Sequence, residues 1–210
     1  MVRKHYIDSI KRFREDFFKE NRNLFKQLED GQSPDTMIIT CSDSRIVPHI
    51  KTGAFPGDIF LFRNMGNFVP PFRKGEDDPT GVGAFLEYGS QVLGVTHLIV
   101  MGHTNCGAVK GIFKKSEAVE KSAFIKGWLR NGEALKRIVI DTFGQEDEEK
   151  SAERGFEENV RIQVANAKTY PFIRDAFQDK RLTIHGWLYD VKSAVMCFLD
   201  GESGEFRPLT

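Results

Sequence analysis

Apolar side chains between residues 5 and 28 recur at helical spacing among Lys, Arg and Glu, which predicts one amphipathic helix. The apolar positions are Ile7, Ile10, Phe13, Phe17, Leu24, Phe25 and Leu28. Gly31 to Pro34 then breaks the helical pattern. Residues 1–30 are therefore expected to form an N-terminal helical arm, whose apolar face must cover either its own sheet or a second subunit.

Short, mainly apolar runs follow the arm and predict strands, and the run at 59–64 lacks polar alternation, as is typical of a strand that is buried on both faces of a parallel sheet. They lie at 37–41, 59–64, 95–101 and 182–189, and a further run at 195–199 is predicted as a terminal strand. Helical patterns separate them at about 80–93, with Thr80 as a candidate cap, and over most of 114–180. This alternation predicts an α/β fold with a mainly parallel β-sheet flanked by helices and a C-terminal edge strand. Residues 31–210 are expected to form a single domain.

Charge, apolar run length and cysteine count limit the partners and the cellular location that the sequence suggests. The 30 basic and 30 acidic residues cancel, so nothing indicates binding to nucleic acid or to a membrane surface. No apolar run reaches membrane-spanning length, and the N-terminus lacks the apolar core of a signal peptide. Three cysteines are an odd number and too few for a disulfide framework. A reducing, cytoplasmic location is the simplest interpretation, and it suits thiolate metal ligands.

Chemically active side chains stand at the ends of two of these strands. Cys41, Asp43 and Arg45 alternate where the run 37–41 ends, so in extended backbone they share one face. His103 and Cys106 follow the run 95–101. Because ligands of open α/β sheets bind at the carboxyl ends of the strands, two thiols and one imidazole are expected to converge there as three metal ligands.

A ligand set of two sulfurs and one nitrogen favours zinc over magnesium or calcium. With a fourth position open, the metal would bind water and acidify it. Asp43, kept ionised by Arg45, could then accept the hydrogen of a zinc-bound hydroxide and turn an oxygen lone pair toward an electrophile. Alternatives remain: a structural zinc site with Asp43 as fourth ligand, unrelated buried thiols, or a plain Asp–Arg ion pair. Cys197, in the middle of an apolar run, is expected in the core.

These motifs resemble those of the β class of carbonic anhydrases. The similarity runs from about Gly31 to Tyr189 and includes Cys41-Ser42-Asp43-Ser44-Arg45, His103-x-x-Cys106-Gly107, Phe55-Pro56-Gly57-Asp58, Arg63-Asn64, residues 81–88 and His185-Gly186-Trp187. The resemblance implies Zn²⁺ on Cys41, His103 and Cys106, with Asp43 and Arg45 as the catalytic dyad. It also implies a homodimer or a dimer of dimers, in which the N-terminal helices embrace the neighbour and the active site lies near the interface.

The plant-like subclass of this family implies further site residues. Gln32 matches a position that donates an amide hydrogen bond to substrate, and Phe60, Met65 and Tyr88 match pocket positions. Met65 departs from the valine of that subclass. Without the resemblance, these three would be assigned to the core. The Gly107 amide, at a helix start, is a candidate for binding a bicarbonate oxygen.

The expected reaction is reversible hydration of CO₂ to bicarbonate and a proton, with CO₂ and bicarbonate as the small-molecule partners. A hydrolase of CS₂ or COS on the same scaffold remains an alternative, as does a non-catalytic structural zinc protein. A second subclass has an inhibitory bicarbonate site that requires a Trp three residues before the first Cys. Ile38 occupies that position here, which predicts that the inhibitory site is absent. No proton shuttle is assigned, although His185 and His49 are candidates.

Overall fold

The computed structural model of the protein describes residues 3–73, 81–114 and 116–209. Thr80, the candidate helix cap, lies outside these described residues. The chain divides into two compact units, one ending at Ser33 and the other beginning at Pro34. None of the helices in the described ranges combines the length and the apolar character needed to cross a membrane.

The described part of the N-terminal unit contains three short helices, so the prediction of one continuous helix was wrong. They are α1 (Lys4–Glu15), α2 (Phe17–Glu20) and α3 (Arg22–Leu28), and none of their residues is buried. The backbone leaves helical geometry at Asp16 (φ −106°, ψ −83°) and at Asn21 (φ −109°, ψ 27°). The Asn21 side chain donates a hydrogen bond to the Phe17 carbonyl at 2.8 Å, which competes with the helical backbone pattern.

The second unit is built on a sheet with the strand order β2-β1-β3-β4-β5-β6 in the described residues. The strands are β1 (Thr36–Cys41), β2 (Ile59–Asn64), β3 (His97–His103), β4 (Thr183–Tyr189), β5 (Met196–Leu199) and β6 (Phe206–Pro208). Strands β1 to β4 pair in parallel, and β5 and β6 extend one edge antiparallel. The prediction of a mainly parallel sheet is confirmed. The three-residue strand β6, which forms the edge, was not anticipated because it has no periodic pattern of its own.

Helices flank the sheet, as predicted. They are α4 (Pro48–Thr52), α5 (Gly81–Glu87), α6 (Gly107–Phe113), α7 (Glu117–Glu120), α8 (Ala123–Leu129), α9 (Glu133–Phe143), α10 (Glu148–Ala167) and α11 (Pro171–Gln178). Three short turns complete them in the described residues: 3₁₀ turns at Met65–Asn67 after β2 and at Arg130–Gly132 after α8, and a π-helical turn at Tyr88–Val92 after α5. Helix α10 begins where the Asp147 side chain accepts a hydrogen bond from the Lys150 amide.

Helix α10 packs directly against β3, which ends in His103, and against the neighbouring strand β4. Val160 of α10 is fully buried, and a Cβ atom placed on Gly102 of β3 would come within 2.6 Å of its side chain. A Cβ atom on Gly186 of β4 would come within 3.0 Å of the same side chain. These two glycines therefore allow the helix to approach closely, which fixes the backbone immediately before His103.

Candidate metal centre and its charged neighbours

Three potential metal ligands meet at the carboxyl edge of the parallel strands. Cys41 ends β1, His103 ends β3, and Cys106 comes just before α6, and all three side chains are buried. The two sulfur atoms lie 3.9 Å apart, and the three ligand atoms lie within 4.8 Å of one another. In the part of the chain that the structure describes, no other group of three His, Cys, Asp or Glu residues is arranged in this way.

The geometry of this group fits a zinc ion. Two sulfurs that bind one Zn²⁺ tetrahedrally at about 2.3 Å lie roughly 3.8 Å apart, close to the separation of Cys41 and Cys106. The Nδ1 atom of His103 lies 2.9 Å from the Thr104 carbonyl oxygen, which can only accept, so Nδ1 carries the hydrogen. Nε2 of His103 is buried without a hydrogen-bond partner. A buried nitrogen lone pair without a partner is energetically unfavourable, and a metal ion bound between the three residues would satisfy it.

The two thiols share a hydrogen bond, which shifts their pKa values in opposite directions. The side-chain hydrogen bond from Cys106 lowers the pKa of Cys41, and the backbone N–H groups of Asp43 and Gly66 add to this effect. The same hydrogen bond, together with burial, raises the pKa of Cys106. One sulfur is thus prepared to be a thiolate while the other keeps the shared proton, and a bound cation would replace that proton.

Asp43 is clamped beside the ligand group by Arg45. Nε of Arg45 donates to Oδ1 of Asp43 at 2.9 Å and Nη2 donates to Oδ2 at 2.7 Å, and the Arg45 backbone amide also donates to Oδ1 at 2.9 Å. The guanidinium holds the pKa of the Asp43 carboxyl well below its usual range. Oδ2 of Asp43 lies 4.0 Å from Nε2 of His103. The carboxylate is therefore an ionised acceptor adjacent to the ligands, with both oxygens already held by Arg45.

Three further hydrogen bonds, which sequence reasoning did not assign, hold the dyad and the chain around it. Nε of Arg63 donates to the Cys41 carbonyl at 3.1 Å, and its Nη2 donates to the Asp43 carbonyl at 2.8 Å. Nη2 of Arg45 also donates to the Asn105 carbonyl at 3.1 Å, where Asn105 adopts a left-handed φ of 58°. The sequence signal for Arg63 was its place at the end of β2 within the quoted Arg63-Asn64 motif.

Two of the expected pocket residues lie at the same edge as the ligands. Met65 opens the turn after β2 and is 40% exposed, and its carbonyl accepts a hydrogen bond from Nε1 of Trp128 at 2.8 Å. Gly107 is exposed and begins α6 directly after Cys106. Both positions are compatible with a pocket around the metal-ligand group, and their substrate-binding roles stay predictions.

Phe60 and Tyr88 lie elsewhere in the second unit. Their ring centroids are 5.8 Å apart, so the structure brings them together. Phe60 pairs with Met37, four residues before Cys41 along β1, which places it roughly 13 Å from the metal-ligand edge. These two side chains are therefore not adjacent to Cys41 of their own chain. Gln32 belongs to the N-terminal unit and is exposed, and its role also stays a prediction.

The shuttle candidate His185 does not lie at the metal-ligand edge. It pairs with Ile99, four residues before His103 along β3. Its Nε2 lies 3.1 Å from Oγ1 of Thr183 and 3.4 Å from Nδ1 of His97, and burial lowers its pKa. This environment is that of a hydrogen-bonded pair of imidazoles at the other end of the strands.

Comparisons with known proteins find relatives over most of the chain. The carbonic anhydrase family matches residues 36–196 of the chain. A carbonic anhydrase of Synechocystis sp. is 36% identical over 200 residues, which cover 95% of this chain and 72% of the relative. The solved structure of the β-carbonic anhydrase CcaA has a TM-score of 0.91 at 36% identity, covering 99% of this chain and 92% of that one. A solved structure from the work on two tetrameric β-carbonic anhydrases of Sordaria macrospora has a TM-score of 0.78 at 26% identity, covering 98% of this chain and 95% of that one.

Proposed function

The chain belongs to the β class of carbonic anhydrases, and on this premise we propose that it hydrates CO₂ reversibly at the centre formed by Cys41, His103 and Cys106. The observation that carries the proposal is the convergence of these three ligand atoms within 4.8 Å of one another, with an ionised carboxylate beside them.

The proposed resident metal is Zn²⁺, held by the two sulfurs and by Nε2 of His103. Two thiolates and one imidazole form a soft donor set that suits this ion, and the 3.9 Å separation of the sulfurs supports it. When bound, Zn²⁺ supplies Lewis acidity that lowers the pKa of a coordinated water. The hydrogen bond from Nδ1 of His103 to the Thr104 carbonyl keeps Nε2 available as a ligand.

Asp43 is proposed to orient the attacking water oxygen. Its carboxylate accepts a hydrogen from that oxygen, so that a lone pair turns toward the carbon of CO₂. The 4.0 Å distance between Oδ2 of Asp43 and Nε2 of His103 supports this role, because it brings the carboxylate next to the ligand group. Arg45 keeps the carboxylate ionised and fixes its direction through two parallel hydrogen bonds.

The substrate pocket is proposed to form between two chains. Met65 and the Gly107 amide contribute from the chain that holds the metal, and Phe60 and Tyr88 contribute from the partner, while a hydrogen bond from its amide to the substrate stays the role proposed for Gln32. The distance of roughly 13 Å between Phe60 and the ligand edge of its own chain supports this division. The aromatic and apolar lining suits CO₂, which is small and uncharged. A homodimer or a dimer of dimers is the proposed assembly.

The proposed setting is the cytoplasm, with CO₂ and bicarbonate as the small-molecule partners. The equal numbers of acidic and basic residues support the proposal that neither nucleic acid nor a membrane surface is a partner. A reducing compartment also keeps the thiols of Cys41 and Cys106 available for the metal.

The test is a stopped-flow assay of CO₂ hydration on purified protein, with zinc content measured on the same sample. We expect about one zinc per chain and turnover that disappears when a chelator removes the metal. Release of sulfide from CS₂ or COS without CO₂ hydration would instead assign the alternative hydrolase activity. Protein that holds zinc but catalyses neither reaction would support a structural role for the ion.

A further inference from the structure

The residue after His103 is tied to a distant turn by its side chain. Oγ1 of Thr104 donates to Oδ1 of Asp190 at 2.8 Å and accepts from the Val191 amide at 3.0 Å. The Thr104 backbone amide donates to the Tyr189 carbonyl at 2.9 Å. The Thr104 carbonyl accepts the hydrogen bond from Nδ1 of His103, so the same residue fixes the imidazole and is itself fixed at three points.

Asp190 is the centre of the turn between β4 and β5. Its Oδ1 accepts from the Lys192 amide at 3.0 Å and its Oδ2 accepts from Oγ of Ser193 at 2.6 Å. Its backbone amide and carbonyl bind Val195 and Ala194 at 2.8 and 2.9 Å. The carboxylate therefore has little freedom to move, and it is a rigid acceptor for the Thr104 hydroxyl.

Strand pairing alone does not fix the Thr104 peptide. His103 is the last residue of β3, and Asn105, two positions later, has a left-handed φ of 58°. The peptide that carries the Thr104 carbonyl thus lies between the end of the sheet and a sharp reversal of the chain. A side-chain anchor at this position prevents the peptide plane from rotating away from His103.

We propose that Thr104 and Asp190 are positioning residues for His103. They hold the carbonyl that accepts from Nδ1, which fixes the tautomer and the ring orientation and so aims Nε2 at the two thiols. Outer-shell partners of this kind typically contribute about 10- to 100-fold to metal affinity. The inference deepens the proposed function, because it concerns the same metal centre, but metal affinity can be measured without any CO₂ assay.

The experiment compares three variants of the full-length protein. Thr104→Val removes the hydroxyl with little change in shape, Thr104→Ser keeps the hydroxyl, and Thr36→Val is the matched control. Oγ1 of Thr36 also donates to an aspartate, Oδ1 of Asp35 at 2.7 Å, but at the opposite end of the parallel strands. The readouts are zinc affinity by competition with a chelator and the absorption spectrum of the Co²⁺-substituted protein.

We expect Thr104→Val to bind zinc about 10- to 100-fold more weakly and to change the Co²⁺ spectrum, because the imidazole is no longer held in one orientation. Thr104→Ser and Thr36→Val should behave like the unmodified protein. If Thr104→Val does not fold, Thr104→Ala removes the same hydroxyl without a branched side chain, and it carries the same expectation.

Unchanged zinc affinity and an unchanged Co²⁺ spectrum in the variant that lacks the hydroxyl would overturn the proposal. An equal loss in Thr104→Val and Thr36→Val would also overturn it, because the effect would then be general destabilisation. If the unmodified protein binds zinc without hydrating CO₂, the proposed function fails while the metal-affinity comparison still decides the role of Thr104.

Discussion

Oδ2 of Asp43 lies 4.0 Å from Nε2 of His103, while both carboxylate oxygens of Asp43 are hydrogen-bonded to Arg45. The carboxylate is therefore adjacent to the ligand group but is not one of the ligand atoms that meet there. This relationship favours the interpretation of Asp43 as an orienting acceptor over its alternative as a fourth ligand of a structural zinc site. It leads directly to the first prediction.

Replacing Asp43 by Ala is expected to lower the turnover of CO₂ hydration by roughly two to four orders of magnitude. The physical reason is that the attacking oxygen loses the acceptor that orients it, whereas Cys41, His103 and Cys106 remain. Zinc content, measured on the same preparation, should stay at about one per chain. Turnover close to that of the unmodified enzyme would remove Asp43 from the mechanism.

The three cysteines provide an internal comparison for metal binding. Cys106→Ser should lose most of its zinc and its CO₂ hydration, because a thiolate ligand is replaced by a neutral hydroxyl. Cys197→Ser should retain both, since Cys197 lies in β5 opposite Leu188 and outside the ligand group. Zinc analysis of both variants, with stopped-flow rates, checks this. Equal zinc loss in the two variants would contradict the assignment.

Turnover is expected to rise with pH between about pH 6 and 9. Two thiolate ligands would cancel the charge of a bound Zn²⁺, so a water on that ion would be less acidic than it would be with three neutral imidazoles. Asp43 adds no titration in this range, because Arg45 holds its pKa well below the usual value and it is ionised throughout. The measurement is turnover against pH at constant ionic strength. A flat profile over this interval would be inconsistent with the charge argument.

The proposed sharing of the pocket between two chains predicts complementation. Asp43→Ala removes the orienting group of one site, and Tyr88→Ala removes a side chain that is proposed to serve the partner's site. Each variant alone should have low turnover. A dimer formed from one chain of each kind would contain one complete site, because the intact Asp43 and the intact Tyr88 then meet.

The complementation experiment is co-expression of the two variants with different affinity tags, followed by isolation of the mixed dimer. Turnover well above the sum of the two variants is the expected result. A pair of Asp43→Ala chains with different tags is the control for tagging and purification. Mixed dimers no more active than the separate variants would place Tyr88 outside the partner's pocket.

Several elements could be predicted because their signal is local. Strand β2 was predicted at 59–64, where four consecutive apolar residues follow a turn, and the structure gives the same bounds. The N-terminal helix was predicted as continuous because apolar periodicity does not report the backbone breaks at Asp16 and Asn21. Strand β6 was missed because its pairing with β5 depends on a partner strand and not on its own three residues.

The sequence by itself determined which side chains meet at the candidate metal centre and on which strand ends they stand. Strand periodicity and the convergence of parallel carboxyl ends are enough to group Cys41 and Asp43 with His103 and Cys106. That grouping follows from short-range pattern and from general rules of sheet topology, and the structure brings these residues together.

Only the tertiary structure decided the distances and the anchors. The 3.9 Å between the sulfurs joins residues 65 positions apart, and the hydrogen bond between Thr104 and Asp190 joins residues 86 positions apart. Likewise, the register of β1 with β2 places Phe60 opposite Met37, four residues from Cys41 of its own chain, and the motifs do not give that separation. Contacts of this kind arise from strand register and side-chain packing across the whole chain, and no local pattern of residues encodes them.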